Sequence, residues 1–240
     1  WIHTDYAAWR NLNGWTRSIT RRDKSLYKKY DAIVCLNELL KERFLQIYPK
    51  LKGKVIAIHN PIPHQEIIDK AKDTLLVPFD KKFYNFITIG RFEWEKRYDR
   101  LVTIASELKK RNFQFRWYFV GDGALFESTQ ELVRQKKLQQ EIILTGMLTN
   151  PYPLLKNCDC MILFSEYEGT PVTIDEAKVL GVPVIANDVG GIKEQISYSD
   201  KNRILDLSKD AMDIVAEQII TWCKEKEGKN EESIDYSAGI

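Results

Sequence analysis

From Phe83 onward, short apolar runs alternate with amphipathic stretches. FYNFITIG (83–90) is rich in aromatic and β-branched residues and ends in glycine, as a buried strand does. Residues 96–111 then place Leu101, Ile104, Ala105 and Leu108 at helical spacing. The pattern repeats. FRWYFVG (115–121) predicts a strand and 124–137 a helix; EIILTG (141–146) a strand and 151–157 a short helix. CDCMILFS (158–165) predicts a strand, 172–180 a helix, VPVIAND (182–188) a strand and 191–196 a short helix. Strands alternating with helices imply parallel βαβ units in a doubly wound α/β sheet. Such sheets bind ligands beyond the carboxyl ends of their strands. Gly90, Gly121, Gly146, Ser165 and Asp188 stand at those ends.

A different unit precedes Phe83. YDAIVCLN (30–37) predicts a strand, 38–47 a helix, and KVIAIHNPIP (54–63) a strand running into a proline-bounded connector. Residues 1–61 offer too few strands to close a sheet alone, so they are expected to be the tail end of a second Rossmann-like domain. The opening WIHTDY shows no basic-then-apolar leader and starts inside what reads as a strand end, so the chain is expected to be a piece of a longer one. The expected order is this remnant, a linker at 62–82, a ligand-binding domain at 83–205, and a helix with a polar tail at 206–240. Met212, Ile214, Val215, Ile219 and Trp222 set that last helix at 208–223.

Charge narrows the partners. Thirty-six basic residues face 34 acidic ones, which excludes a strongly basic nucleic-acid binder. The first 60 residues nevertheless hold 12 basic and 5 acidic side chains. Leu26, Tyr27 and Tyr30 interleave with Arg17, Arg21, Arg22, Lys24, Lys28 and Lys29, which suits a helix lying on an anionic membrane surface. An ordinary surface helix packed on its own domain fits the pattern equally well. The longest uncharged stretch, 142–155, is broken by Gly146, Pro151 and Pro153 and falls short of a membrane span. Cys35, Cys158, Cys160 and Cys223 are too scattered for a disulfide framework or a metal site, and are expected to be reduced core thiols of a cytoplasmic protein.

Three groups of residues carry chemistry. Gly90-Arg91 and Lys96 put two cations across a strand-to-helix turn, where a guanidinium fork and an ammonium can grip a diphosphate. In SEYEGTPVTIDEA (165–177), Gly169, Thr170 and Pro171 turn into a helix. The open amides of Val172 and Thr173 favour an anion there. Glu176, one turn inside, can accept both hydroxyls of a ribose, while Glu168 can reach a sugar. VGDGALFE (120–127) has the glycine pair of a dinucleotide fingerprint, but Phe126 replaces the third glycine. Gly121 and Gly123 are therefore expected to form a tight turn lining the same cleft rather than an NAD site.

Gly90-Arg91…Lys96, Gly121-Asp122-Gly123, Ser165…Glu168-Gly169…Glu176-Ala177, Gly181 to Ala186 and Gly190-Gly191…Glu194 together resemble the retaining glycosyltransferases of family 4 (glycosyl transferases group 1), over about residues 30–205. The resemblance implies the GT-B fold, two facing Rossmann-like domains with a nucleotide-sugar donor held mainly by the second. It implies that Arg91 and Lys96 bind the diphosphate, Glu176 the ribose and Glu168 the hydroxyls of the transferred sugar. The backbone from Thr170 to Thr173 would complete these contacts, and the turn at Gly146-Met147-Leu148 would lie against the base. Trp1-Ile2-His3-Thr4 resembles the first-domain segment whose histidine faces the donor sugar. His59 and His64, beside the linker prolines, are expected to be structural.

The implied activity is transfer of a sugar, with retention, from a UDP- or GDP-sugar to the hydroxyl of a saccharide or lipid-linked saccharide, in polysaccharide or glycolipid synthesis. No cofactor or metal is expected, because no DxD-type pair is placed to hold one. The departures are Arg97, where the family commonly has glycine after the lysine, and Trp94 in the preceding turn. Other classes stay open: a nucleotide-sugar-binding module without catalysis, a sugar-nucleotide epimerase or phosphorylase on the same fold, and a dehydrogenase, which Phe126 disfavours.

Overall fold

The computed structural model describes residues 2, 25–197, 199, 201–207 and 211–232, with 227–232 as backbone. A parallel pair, β1 (Ile33–Cys35) and β2 (Val55–Ala57), brackets helix α1 (Glu38–Ile47). Ile33, Cys35, Leu40, Phe44, Tyr48 and Val55 bury their side chains between the pair and the helix. Asn37 starts α1: its Oδ1 accepts from the Leu40 amide at 2.7 Å, meeting one of the donors a helix start leaves open. Ile2 bridges to Cys35 in parallel beside β1. Both strands are shorter than the apolar runs predict, because those runs continue into turns.

After helix α2 (His64–Lys70) comes the main sheet. Its strands are β3 (Tyr84–Ile89), β4 (Phe115–Val120), β5 (Ile142–Gly146), β6 (Cys160–Leu163), β7 (Val184–Asn187) and β8 (Arg203–Leu205). All pair in parallel, in the order β5-β4-β3-β6-β7-β8. The helices between and after them are α3 (Tyr98–Lys110), α4 (Phe126–Gln135), α5 (Tyr152–Asn157), α6 (Val172–Val179), α7 (Ile192–Ile196) and α8 (Met212–Glu232). Strand side chains alternate between faces. Phe86, Trp117, Phe119, Ile162 and Ile185 pack with Leu101, Val133 and Ile219, from α3, α4 and α8. Ile87, Tyr118, Met161, Leu163 and Val184 pack with Leu154, Ile174 and Ile192, from α5, α6 and α7. Two cores on opposite faces make the sheet doubly wound.

The structure adds to or departs from the sequence reading at four points. The stretch 62–82, expected as a linker, contains α2, which buries Ile67 and packs on α5 and α6. Strand β8 has only three residues, too few for an alternation to register in the sequence. Helix α8 runs on to Glu232 rather than ending near Cys223. Its polar extension is tied back through the Arg203–Glu225 ion pair at 2.9 Å and through Lys226, which donates to the Asp159 carbonyl at 3.1 Å. Tyr27 turns inward and sets its ring against Phe44 and Tyr48, each at 5.2 Å, while Leu26 and Tyr30 are exposed. Arg17, Arg21, Arg22 and Lys24 lie outside the described residues. All four cysteines are free and buried, and burial pushes the Cys35 thiol up to about 11.

Candidate active site

Strand order reverses between β3 and β6, so the chain leaves their carboxyl ends in opposite directions and opens a crevice. The loop after β3 carries Gly90 and Arg91, then a 3-10 turn at Trp94–Lys96. Lys96 therefore sits in that turn, just ahead of α3. The loop is held from below by the turn after β4. Gly121 and Gly123 have φ of 138° and 155°, and a Cβ on either would overlap the backbone of Gly90 or Phe92. Only glycine lets the two turns approach so closely. Phe92 is buried and stacks on Tyr98 at 3.9 Å, and the Tyr98 hydroxyl donates to the Gly90 carbonyl at 3.1 Å.

The loop after β6 faces this one. Glu168 is 8% exposed, and its Oε1 accepts from Lys96 Nζ at 2.5 Å and from Ser165 Oγ at 2.7 Å. A second set of ions ties the same two loops. Glu166 Oε2 meets Arg97 Nη1 at 2.7 Å and Arg100 Nη2 at 2.9 Å, and the Glu166 amide donates to the Glu95 carbonyl at 2.7 Å. Arg97 has φ 49° and ψ 47°, the left-handed region. That accounts for the glycine common at this position in the family it resembles. Here the strain is offset by the guanidinium's bonds to Asp99 and Glu166.

Behind Glu168, Gly190 has φ 57°, and a Cβ there would overlap the Glu168 carbonyl. Ahead of it, Thr170 and Pro171 lead into α6, and Pro171 supplies no side-chain cap. The first turn of α6, at Val172 and Thr173, thus has no side-chain cap on the backbone amides at the positive end of its dipole. Glu176, on the second turn, accepts from the Tyr152 hydroxyl at 2.9 Å. Burial raises the Glu176 carboxyl above its ordinary value, and the Tyr152 hydroxyl pulls it part of the way back. Burial and the neighbouring carboxylate push the Tyr152 phenol up to about 12.

The structure thus brings together Gly90, Lys96, Glu168, Gly169, Thr170, Pro171, Val172, Thr173 and, beneath them, Gly121 and Gly123. It separates the two cations expected to act as a pair. Arg91 is 75% exposed at the rim, where its Nη2 meets Glu95 Oε1 at 3.3 Å, while Lys96 points inward. Met147 is exposed and Leu148 half-buried on the turn after β5, whose Gly146 carbonyl accepts from the Gly121 amide at 3.0 Å. Trp94 packs edge-on against Tyr167 at 5.4 Å. His59 is exposed and His64 begins α2; His3 lies outside the described residues. Among the described residues, no three His, Cys, Asp or Glu side chains are grouped to hold a metal ion, and no helix is long and apolar enough to cross a membrane.

Sequence reasoning missed Tyr152, Glu166 and Asn37. Each works through a partner 24 to 133 residues away, and no local pattern marks such a pair. Only the helix-capping half of Asn37's role has a local signal, an Asn directly ahead of a helical stretch.

Residues 69–238 match the family model of glycosyl transferases group 1. The chain belongs to this family. Among curated relatives, the uncharacterized glycosyltransferase MJ1059 of Methanocaldococcus jannaschii is 30% identical over 172 residues, covering 69% of this chain and 41% of that protein. Among solved structures, a mutant of Staphylococcus aureus TarM in complex with Fondaparinux, alpha-GlcNAc-glycerol and UDP superposes with a TM-score of 0.69 at 20% identity, over 92% of this chain and 42% of that one. The pneumococcal O-GlcNAc transferase GtfA, in complex with UDP and GlcNAc, gives 0.66 at 18% identity, over 97% and 46%. The chain spans less than half the length of each of these proteins. As a group 1 glycosyltransferase chain it has the Rossmann-like GT-B fold.

Proposed function

We propose that the protein containing this chain transfers a hexose, with retention, from a nucleotide diphosphate sugar to the hydroxyl of a saccharide or lipid-linked saccharide. The observation that carries this is the convergence of Lys96 and Glu168 beside the uncapped start of α6, with Glu176 on its second turn. UDP in the complexes of TarM and GtfA favours a UDP-sugar as the donor. Polysaccharide or glycolipid synthesis at the cytoplasmic side is the setting that fits such a donor and the basic first 60 residues.

In the proposed reaction, the bond between the anomeric carbon and the diphosphate oxygen breaks as a bond to the acceptor oxygen forms on the same face. The acceptor's proton passes to the departing diphosphate. Negative charge grows on that leaving group, and Lys96, Arg91 and the amides at Val172 and Thr173 are the groups available to stabilise it without a metal ion. Lys96 is bound to Glu168, so the donor must share or take over that ammonium. Glu168, relieved of part of its partner, then faces the hydroxyls of the sugar.

Titration calorimetry with UDP, GDP and NAD tests the donor assignment on this chain. Binding of UDP or GDP, lost in Lys96→Ala with the fold intact, is the expected result. Binding of NAD alone would overturn it in favour of a dehydrogenase. Sugar transfer by the longer protein, lost in Glu168→Ala while nucleotide binding persists, would separate an enzyme from a binding module.

A further inference from the structure

Asn37 belongs to the unit ahead of the main sheet, yet its side chain reaches the loop that heads α6. While Oδ1 caps α1 at the Leu40 amide, Nδ2 donates to Thr170 Oγ1 at 2.8 Å. The residue is 6% exposed. Both ends of its amide are committed to different units, and a flip would set its NH2 group against the Leu40 donor, so the orientation is determined. Gly191 runs directly behind the amide, where a Cβ would overlap Asn37 Nδ2. The Gly191 amide in turn donates to the Gly169 carbonyl at 3.3 Å. Segments around residues 37, 170 and 191, remote in sequence, therefore meet at one buried point next to Glu168.

Resting on the donor-site assignment above, we propose that Asn37 is a positioning residue for the transferred sugar. Its amide fixes the Glu168–Gly169–Thr170 loop from the first unit, so the placement of that unit is felt where the sugar binds. The nucleotide end is held separately, by Lys96, the start of α6 and Glu176. Loss of the Asn37 contact should therefore weaken a nucleotide-sugar without weakening the bare nucleotide.

The test is calorimetric titration of the chain with UDP, GDP, UDP-glucose, UDP-N-acetylglucosamine and GDP-mannose. The variants are Asn37→Ser, Thr170→Val and the two combined. Serine still caps α1 but is too short to reach Thr170, so the helix is kept while the contact is removed. Each single variant is expected to bind the preferred nucleotide-sugar about fivefold more weakly, the loss of one hydrogen bond, and Asn37→Ser is expected to keep nucleotide affinity within about twofold of wild type. The double variant should lose no more than either single one. Hydrogen exchange without ligand adds a second readout: the Gly191 amide, which donates to the Gly169 carbonyl beside Asn37, should exchange faster in Asn37→Ser, and the amides of α1 should not. Equal weakening of nucleotide and nucleotide-sugar, additive losses, or unchanged exchange at Gly191 would each overturn the role of Asn37. A wild-type chain that takes up none of the five ligands would overturn the donor-site assignment itself, and the role for the sugar with it.

Discussion

Lys96 Nζ and Glu168 Oε1 stand 2.5 Å apart where the strand order reverses, joined by the Ser165 hydroxyl on the same carboxylate oxygen. Their side chains are only 16% and 10% exposed. Removing one partner leaves the other as a largely buried, unpaired charge, which is costlier than removing both. Lys96→Met is expected to lower unfolding stability in urea by about 3 kcal/mol. Combining it with Glu168→Gln should recover part of that loss, with a coupling of about 1–3 kcal/mol. Losses that simply add would show that the two charges do not form a working pair.

Arg97 gives a prediction against ordinary substitution rules. Its left-handed backbone suits glycine, and its ion pairs with Asp99 and Glu166 hold an arginine there instead. Arg97→Ala loses the pairs and keeps the strain, whereas Arg97→Gly loses the pairs and relieves it. The glycine variant should be the more stable of the two by about 1 kcal/mol in the same urea experiment, although alanine is usually the better residue beside a helix. If alanine proves equal or better, the left-handed conformation is not what the position demands.

The main sheet was legible because its first five strands are apolar runs of four to six residues ending at or close before glycine, serine or aspartate, with helices between them. β8 and α2 were not, because Arg203–Leu205 is too short to show a period and HQEIIDK buries little beyond Ile67. Lys96, Glu168 and Glu176 could be named from motif spacing, since the first two stand on loops directly after predicted strands and the third on the predicted helix that follows. Spacing and the family resemblance both pair Arg91 with Lys96; the 3-10 turn that ends at Lys96 directs its ammonium to Glu168 and leaves Arg91 exposed at the rim. Tyr152 and Asn37 meet their partners only after the chain has folded, so no window of sequence holds both halves of either contact.

Gly121 tests how far the crevice depends on close backbone approach. A methyl group on it would overlap the Gly90 carbonyl, and its φ of 138° is a conformation other residues rarely adopt. Gly121→Ala should push the β3 loop outward and cost about 1–3 kcal/mol. Because that loop carries Lys96, nucleotide affinity should fall as well. Gly146→Ala also carries a positive φ, of 69°, but a Cβ there meets nothing within 4 Å. It should lose only the strain energy. Calorimetry and urea unfolding on both variants separate collision from strain; equal effects would argue that the packing of the two turns is not decisive.

Glu176 offers a test by pH. Its carboxyl is raised above the ordinary 4.5, by burial first, and the hydrogen bond from Tyr152 lowers it part of the way back. A folded-state pKa above the unfolded one means the native chain holds this proton more tightly. The stabilisation that brings is full below the unfolded value and is lost as pH rises through the folded one. Ligand binding runs the other way. Ribose hydroxyls donate to the ionised carboxylate, so nucleotide affinity should fall on acidification with a midpoint above 4.5. Tyr152→Phe removes the hydrogen bond that favours the ionised form, and should move that midpoint higher still. Glu176→Gln should abolish this component of the pH dependence and weaken binding at neutral pH. UDP titrations of the three proteins from neutral to acid pH measure it, and a Gln variant with the wild-type profile would remove Glu176 from the ribose.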